Sequence, residues 1–464
     1  MQKAMTTGSP AKAIFAFTLP IFIGNVFQQF YSLADTVIVG KFLGDTALAA
    51  VGSTGTLGFL IFGLTSGMSI GFTVPTAQYF GAGDLKKMRR SFASALMLSA
   101  FITVLLTALG MSQMRNILDA MHTPEDIYEG AYDYIIVITG GIFAQVLYNL
   151  LSSILRALGN SKAALYFLIL AAVLNIGLDL LCVITLNMGT AGAAYATVAS
   201  QAVSGVLCLV YIWKKVAILR LRRQDFKPDW RMMGNQFRIG LPMALQYSIT
   251  AIGTTFVQIS LNLLGDSSYI AGFTAGNKVE NVVTQAFIAL GTAAATYGAQ
   301  NVGAGKYDRI RRGFRAAALM GAVYAVVMGV VTALFGKYLT YLFVEVGDNT
   351  AIVDYVNTYL VCVSLFFLPL MVVNLYRNGI QGMGYGFMPM MAGVAELVGR
   401  AIFASVGTRF GSYTLVCLAS PAAWILAGGL LLVMYYFIMR RHKGPDPEDA
   451  PADLEETATL QPLR

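Results

Sequence analysis

Ala77-Gln78-Tyr79-Phe80-Gly81-Ala82-Gly83-Asp84 returns 222 positions later as Ala299-Gln300-Asn301-Val302-Gly303-Ala304-Gly305-Lys306. The same offset carries Arg89-Arg90 onto Arg311-Arg312 and Leu19-Pro20 onto Leu241-Pro242. An offset of 221 carries Leu43-Gly44-Asp45 onto Leu264-Gly265-Asp266. Four coincidences at a near-constant spacing mark a duplicated chain. The copies are strongly apolar: 56% of the 464 residues are apolar and 12% are charged, where a soluble domain carries about 25% charged residues.

The apolar excess runs along nearly the whole length, so the chain is polytopic in a membrane. At roughly 20 residues per span plus short links, about twelve helices fit. The alternating ten-residue strands of an outer-membrane barrel do not match runs this long. The expected fold is all-α, with twelve transmembrane helices in two six-helix bundles. An even number of spans per copy gives both copies one orientation. A pseudo-twofold axis then lies along the membrane normal, with a cavity between the bundles. The expected division is 1–213 for the first lobe, 214–238 for a cytoplasmic linker, 239–439 for the second lobe, and 440–464 for a disordered polar tail.

Charge placement sets the expected orientation. Lys86, Lys87, Arg89 and Arg90 follow span 2, Arg156 and Lys162 bracket the link after span 4, and Lys306, Arg309, Arg311 and Arg312 follow span 8. The linker after span 6 and the residues after span 12 are basic too, while the odd-numbered links carry Asp45, Asp119, Glu125, Asp266, Glu345 and Asp348. By the positive-inside rule both termini are cytoplasmic. The basic links face anionic lipid headgroups, and no soluble basic domain offers itself to nucleic acid. Cys182, Cys208, Cys362 and Cys417 fall in apolar segments, and His122 and His442 stand far apart in links. That leaves neither a disulfide framework nor a transition-metal spacing.

Asp35 is the costly residue. It lies in Val26-Phe27-Gln28-Gln29-Phe30-Tyr31-Ser32-Leu33-Ala34-Asp35-Thr36-Val37 of span 1, where an ionised and unpaired carboxylate costs several kcal/mol. Gln28, Tyr31 and Asp35 share one helical face, and Pro20, earlier in the span, can kink the helix. Span 5 offers Asn175 and Asp179 one turn apart, and span 6 offers Thr197. Counted from the outer ends, all three levels fall roughly 7–12 Å deep. Two carboxylates, an amide and a hydroxyl at one level make a hard-cation site or a proton-sharing pair, and oxygen-only ligation suits Na⁺ or H⁺. In the second half Glu280 sits near Lys278 as a cavity-lining candidate, and Glu396 and Arg400 neutralise each other one turn apart. Span 7 has no acidic counterpart of Asp35. Gly81-Ala82-Gly83 and Gly303-Ala304-Gly305 lack a phosphate-loop pattern and cap helix C-termini.

At these residues the chain resembles the multidrug and toxic compound extrusion (MATE) family, in its prokaryotic DinF-like branch. The resemblance covers roughly residues 10–440. Besides Leu19-Pro20, Ala34-Asp35-Thr36 and the paired glycine motifs, it is carried by Leu155-Arg156-Ala157-Leu158-Gly159-Asn160, Asn175-Ile176-Gly177-Leu178-Asp179 and Gly192-Ala193-Ala194-Tyr195-Ala196-Thr197. It implies a monomeric antiporter of a bacterial cytoplasmic membrane that exports cationic amphipathic compounds by alternating access, in exchange for H⁺ or Na⁺ and without another cofactor. It assigns the N-lobe cation site to Asp35, Asn175, Asp179 and Thr197, the bending proline to Pro20, and drug-cavity positions to Gln28 and Tyr31. The acidic residue that some branches carry in helix 7 is missing, which puts a C-lobe ion site of that type in doubt. Two rivals stand beside this reading. A lipid-linked saccharide flippase of the same superfamily would need cations lining the cavity, and here the arginines are read into the links. A membrane-embedded enzyme would need a catalytic cluster, which the two distant histidines do not supply.

Overall fold

The computed structural model describes residues 4–340 and 350–442. Glu345, Asp348, Lys443 and the tail from 443 onward lie outside the described residues. The first half comprises α1 (Pro10–Leu43), α2 (Asp45–Ser53), α3 (Gly55–Gly81), α4 (Leu85–Ala120), α5 (Glu125–Gly140), α6 (Ile142–Ala157), α7 (Ser161–Asp179) and α8 (Gly189–Lys215). The second comprises α9 (Trp230–Leu263), α10 (Ser267–Gly303), α11 (Tyr307–Thr340), α12 (Thr350–Ser364), α13 (Phe367–Gly382), α14 (Phe387–Arg409), α15 (Tyr413–Cys417) and α16 (Ala419–Arg441). The fold is the twelve-span, two-lobe architecture expected. Among the described residues nine helices are long and apolar enough to cross a membrane, and two bent pairs each make one more span. The twelfth, α9, is less apolar because Gln246, Ser248, Thr250, Thr254, Thr255 and Gln258 dilute its central and outer turns.

Local chemistry explains where the helices begin and break. Asp84, Asn160, Asp229 and Asp266 cap α4, α7, α9 and α10 by accepting a backbone N–H from the first turn, which satisfies donors that have no partner inside the helix. The span built from α5 and α6 bends by 47° at Gly141. A Cβ there would lie 2.2 Å from the Val198 side chain, so the bend lets the chain pass α8. The span of α12 and α13 bends by 54°. Three boundaries differ from the sequence reading, which ends span 1 at 39, starts span 7 at 239 and ends span 12 at 439, because an apolar run ends before its helix does. α9 starts nine residues before 239, so the linker shortens to 216–229. α1 continues unbroken through Pro20 and on to Leu43. Residues 440 and 441 finish α16, and the His442 ring stacks on Tyr307 at 4.1 Å.

The lobes meet near the end of the molecule that carries the basic links. Each lobe's first span leans on the other lobe's second span, α9 on α3 and α1 on α10. Small residues set the α3–α9 seam: a Cβ on Gly67 would lie 2.6 Å from the Ala244 backbone, and one on Gly71 would lie 2.3 Å from Gly240. The repeated motifs meet each other at the end of this seam. A Cβ on Gly81 would lie 1.9 Å from the Gln300 carbonyl oxygen, and one on Gly303 would lie 1.8 Å from that of Gln78. Gly83 and Gly305, at φ 74° and 72°, turn the chain out of each helix as the capping reading expects. The tighter constraint falls on the preceding glycines, which let two backbones cross.

Two arms brace this end. The Met5 N–H donates to Gln300 Oε1 at 2.7 Å, and the Arg309 guanidinium donates to the carbonyls of Met5, Thr7 and Gly8. The segment before α1 is thereby tied to the second lobe. The start of α9 is tied to the first: its N-cap Asp229 pairs with Arg90 at 3.5 Å, and Gln236 Nε2 in its second turn donates to the carbonyls of Phe72 and Ser91. Toward the opposite end the lobes part. On α10, Thr292 and Thr296 line the seam against α3 and α6, while Thr274, Lys278 and Asn281 on the same face further out are exposed. A cleft therefore opens away from the basic end.

Filling one of the crossing glycines should pry this seam apart. Gly303→Val is expected to cost about 1–3 kcal/mol by overpacking and to lengthen the distance between spin labels at exposed Lys86 and Arg312. An unchanged distance distribution and melting temperature would remove the glycine crossing as the closure.

Candidate functional site

Asp35, Asn175, Asp179 and Thr197 come together inside the first lobe, where α1 packs on α7 and α7 on α8. α1 gets close to α7 at Gly24, where a Cβ would lie 2.8 Å from Leu168. Asp35 lies eight residues before the end of α1, Asp179 six before Thr185, and Thr197 eight beyond Gly189. At 1.5 Å per residue these levels are about 9–12 Å, so the three elements meet at one depth.

Asp179 is fully buried, and its carboxyl lies within hydrogen-bonding reach of that of Asp35. No donor reaches either Asp179 oxygen or Asp35 Oδ1 among the described residues. Two carboxylates have only acceptors to offer each other. A shared proton or a small cation between them is what turns this contact into an attraction. Asn175 Nδ2 donates to Thr197 Oγ1 at 3.3 Å, which leaves Asn175 Oδ1 buried and without a donor. One carboxamide oxygen and three carboxylate oxygens are thus shielded from water and unsatisfied. This donor set fits Na⁺ or H⁺, as its chemistry predicts.

Other residues complete the surroundings. The Tyr31 hydroxyl lies near the Gln28 side chain and within electrostatic range of both carboxyls. Tyr134 of α5 lies in the same range, and sequence reasoning had not picked it out. Its only signal was a tyrosine in an apolar span. A π-helical segment, Leu180–Thr185, starts directly after Asp179. Such segments recur at functional sites because they re-aim a helix within one turn, and nothing in Leu-Leu-Cys-Val-Ile-Thr announces it. The counterpart of Asp35 in α9 falls at Phe256-Val257, so the second lobe has no equivalent pair.

The second lobe holds a different polar cluster. Glu396 accepts from Arg400 at 2.6 Å and also from Arg377 of α13, a partner not read from the sequence. Glu280 is buried and accepts a short hydrogen bond from the Tyr359 hydroxyl. It is turned into the lobe, while Lys278, two residues and about 200° around the helix, faces out. Arg156, which brackets the link after span 4 in the sequence, closes the last turn of α6. It donates to Ser152 and Ser153 at 2.8 Å each and lines the floor of the seam with Thr292 and Thr296. A cavity of about 930 Å³ at the basic end, lined by Lys12, Lys162 and Tyr166 among others, is remote from the carboxyl pair.

Comparison with known proteins follows this geometry. The MatE family model matches residues 20–181 and again 242–406, two stretches that begin 222 residues apart. The probable multidrug resistance protein YpnP of Bacillus subtilis is 30% identical over 376 residues, covering 81% of this chain and 83% of the relative. A protein named FAD transporter from Shewanella oneidensis is 23% identical, over 92% and 94% of the two chains. Among solved structures, one described as the outward-facing conformation of a multidrug resistance MATE family transporter superposes with a TM-score of 0.89 at 23% identity, covering 94% of this chain and 98% of that one.

The carboxyl pair should weigh on stability in a readable way. Asp179→Asn supplies an N–H donor to Asp35 and removes one buried acid. It is expected to stabilise the purified protein at neutral pH by about 1–3 kcal/mol, read as a higher melting temperature in detergent. A lower melting temperature would mean that the two carboxyls do not face each other.

Proposed function

Because this chain belongs to the MatE family, the multidrug and toxic compound extrusion transporters, we propose that it is a secondary antiporter. In this reading it exports small amphipathic compounds from a bacterial cytoplasmic membrane in exchange for H⁺ or Na⁺. The observation that carries the reading is the Asp35–Asp179 pair. It is a buried acceptor-only cluster that exchanges a cation without any cofactor.

The basic end faces the cytoplasm by the positive-inside rule, with both termini there. The cleft between the lobes then opens to the outside. Entry of H⁺ or Na⁺ from that side neutralises the pair and lets α1 settle closer to α7. α1 is a lever between the lobes, since its outer part carries Asp35 and its inner part packs on α10 and α11. Pro20, buried in that helix, removes one backbone hydrogen bond and makes a bend there cheaper. A change at Asp35 thus reaches the interlobe contact, and alternating access follows if that contact loosens when the outer cleft closes.

The family leaves the substrate open. One relative is named for drug resistance and another for FAD, so the substrate class must come from this chain's own cleft. Gln28 and Tyr31 stay assigned to the cavity near the aspartate. Glu280 has its carboxylate engaged by Tyr359 and keeps at most an indirect part.

Asp35→Asn should insert normally and abolish gradient-driven dye efflux, a loss of at least tenfold in proteoliposomes carrying an imposed pH or Na⁺ gradient. Efflux at the wild-type rate would disprove the coupling role. Running the two gradients separately identifies the ion.

A further inference from the structure

Thr274, Lys278 and Asn281 are exposed along one stripe of α10, at the spacing that places residues on one helical face. Further in, the same face carries Thr292 and Thr296, which meet α3 and α6 at the floor of the seam. The outer part of the stripe is therefore the wall of the interlobe cleft. Lys278 lies eleven residues inside the start of α10, about 16 Å along the helix at 1.5 Å per residue. It forms no ion pair or hydrogen bond among the described residues.

No acidic side chain pairs with it among the described residues. Glu280 is turned away to Tyr359, Glu396 is shared by Arg377 and Arg400, and Asp35 and Asp179 face each other inside the first lobe. At the floor stands a second cation without an acidic partner, Arg156, held by two serine hydroxyls. A cleft with low-dielectric walls and charge of one sign concentrates ions of the other sign. Asn281 adds a side-chain amide one turn from Lys278.

We propose that the cleft is a binding site for compounds bearing an anionic group, a carboxylate or a phosphate, with Lys278 as the residue that receives it. This rests on the export reading only for the direction of movement; the site itself does not need it. An electrical consequence follows. With one ion per cycle, exit of a monoanion and entry of H⁺ or Na⁺ both carry positive charge inward, so an inside-negative potential drives both. Exit of a monocation against one such ion moves no net charge.

Fluorescein and rhodamine 6G share a xanthene ring and differ in sign at neutral pH, so they serve as probes for the full-length purified protein. By fluorescence anisotropy, fluorescein should bind on the order of tenfold more tightly than rhodamine 6G. Lys278→Gln should erase that preference, and Lys278→Arg should keep it. In proteoliposomes an inside-negative potential should speed fluorescein export. A wild-type preference for rhodamine 6G, or fluorescein binding by Lys278→Gln equal to wild type, overturns the proposal. Lys278-dependent fluorescein binding without movement under any imposed gradient supports the anion site and sinks the export reading instead.

Discussion

Two helix ends pass each other at backbone distance, and most of the molecule depends on that crossing. Gly81 lies against the Gln300 carbonyl and Gly303 against that of Gln78, so each copy of one motif is the socket for the other. In a membrane, helices gain little from hydrophobic exclusion and associate through close packing, which small residues permit. The crossing brings α3 against α9 and α10 against α1, closes the basic end, and leaves the outer face of α10 exposed at Thr274, Lys278 and Asn281. The cleft, its exposed α10 face and the lever action of α1 all follow from where the lobes touch.

The acceptor-only carboxyl cluster and the exposed outer face of α10 occupy different places. The Asp35–Asp179 pair sits within the first lobe among Asn175, Thr197, Tyr31 and Tyr134, away from the cleft wall that carries Lys278. α1, which packs on α7 of the first lobe and on α10 and α11 of the second, is the element that links the two. Duplication supplied two similar lobes, and only one carries the carboxyl pair. In the other, Glu396 is neutralised by two arginines and Glu280 accepts from the neutral Tyr359 hydroxyl.

Much of this was legible in the chain. The repeat at 222 residues, the alternation of basic and acidic links, and the long apolar runs required two even-numbered helical bundles. Asp35, Asn175 and Asp179 stood out because buried carboxylates are costly, and counting residues from the outer ends brought them to one depth. What stayed hidden was directional. Lys278 and Glu280 are two residues apart and face opposite ways, and no local pattern tells which one meets the cleft. Tyr134 and the π-helical turn after Asp179 gave no compositional signal.

By itself, the sequence determined the class, the count and the symmetry of the spans, because the cost of burying charge and unpaired backbone in lipid leaves few ways to place 464 residues this apolar. It also determined which side chains are too costly to be there by chance. The tertiary structure alone decided which of them face one another. That depends on how closely two helices approach at Gly24, Gly67, Gly71, Gly81 and Gly303, and such distances are set jointly by both partners, so neither strand of sequence contains them.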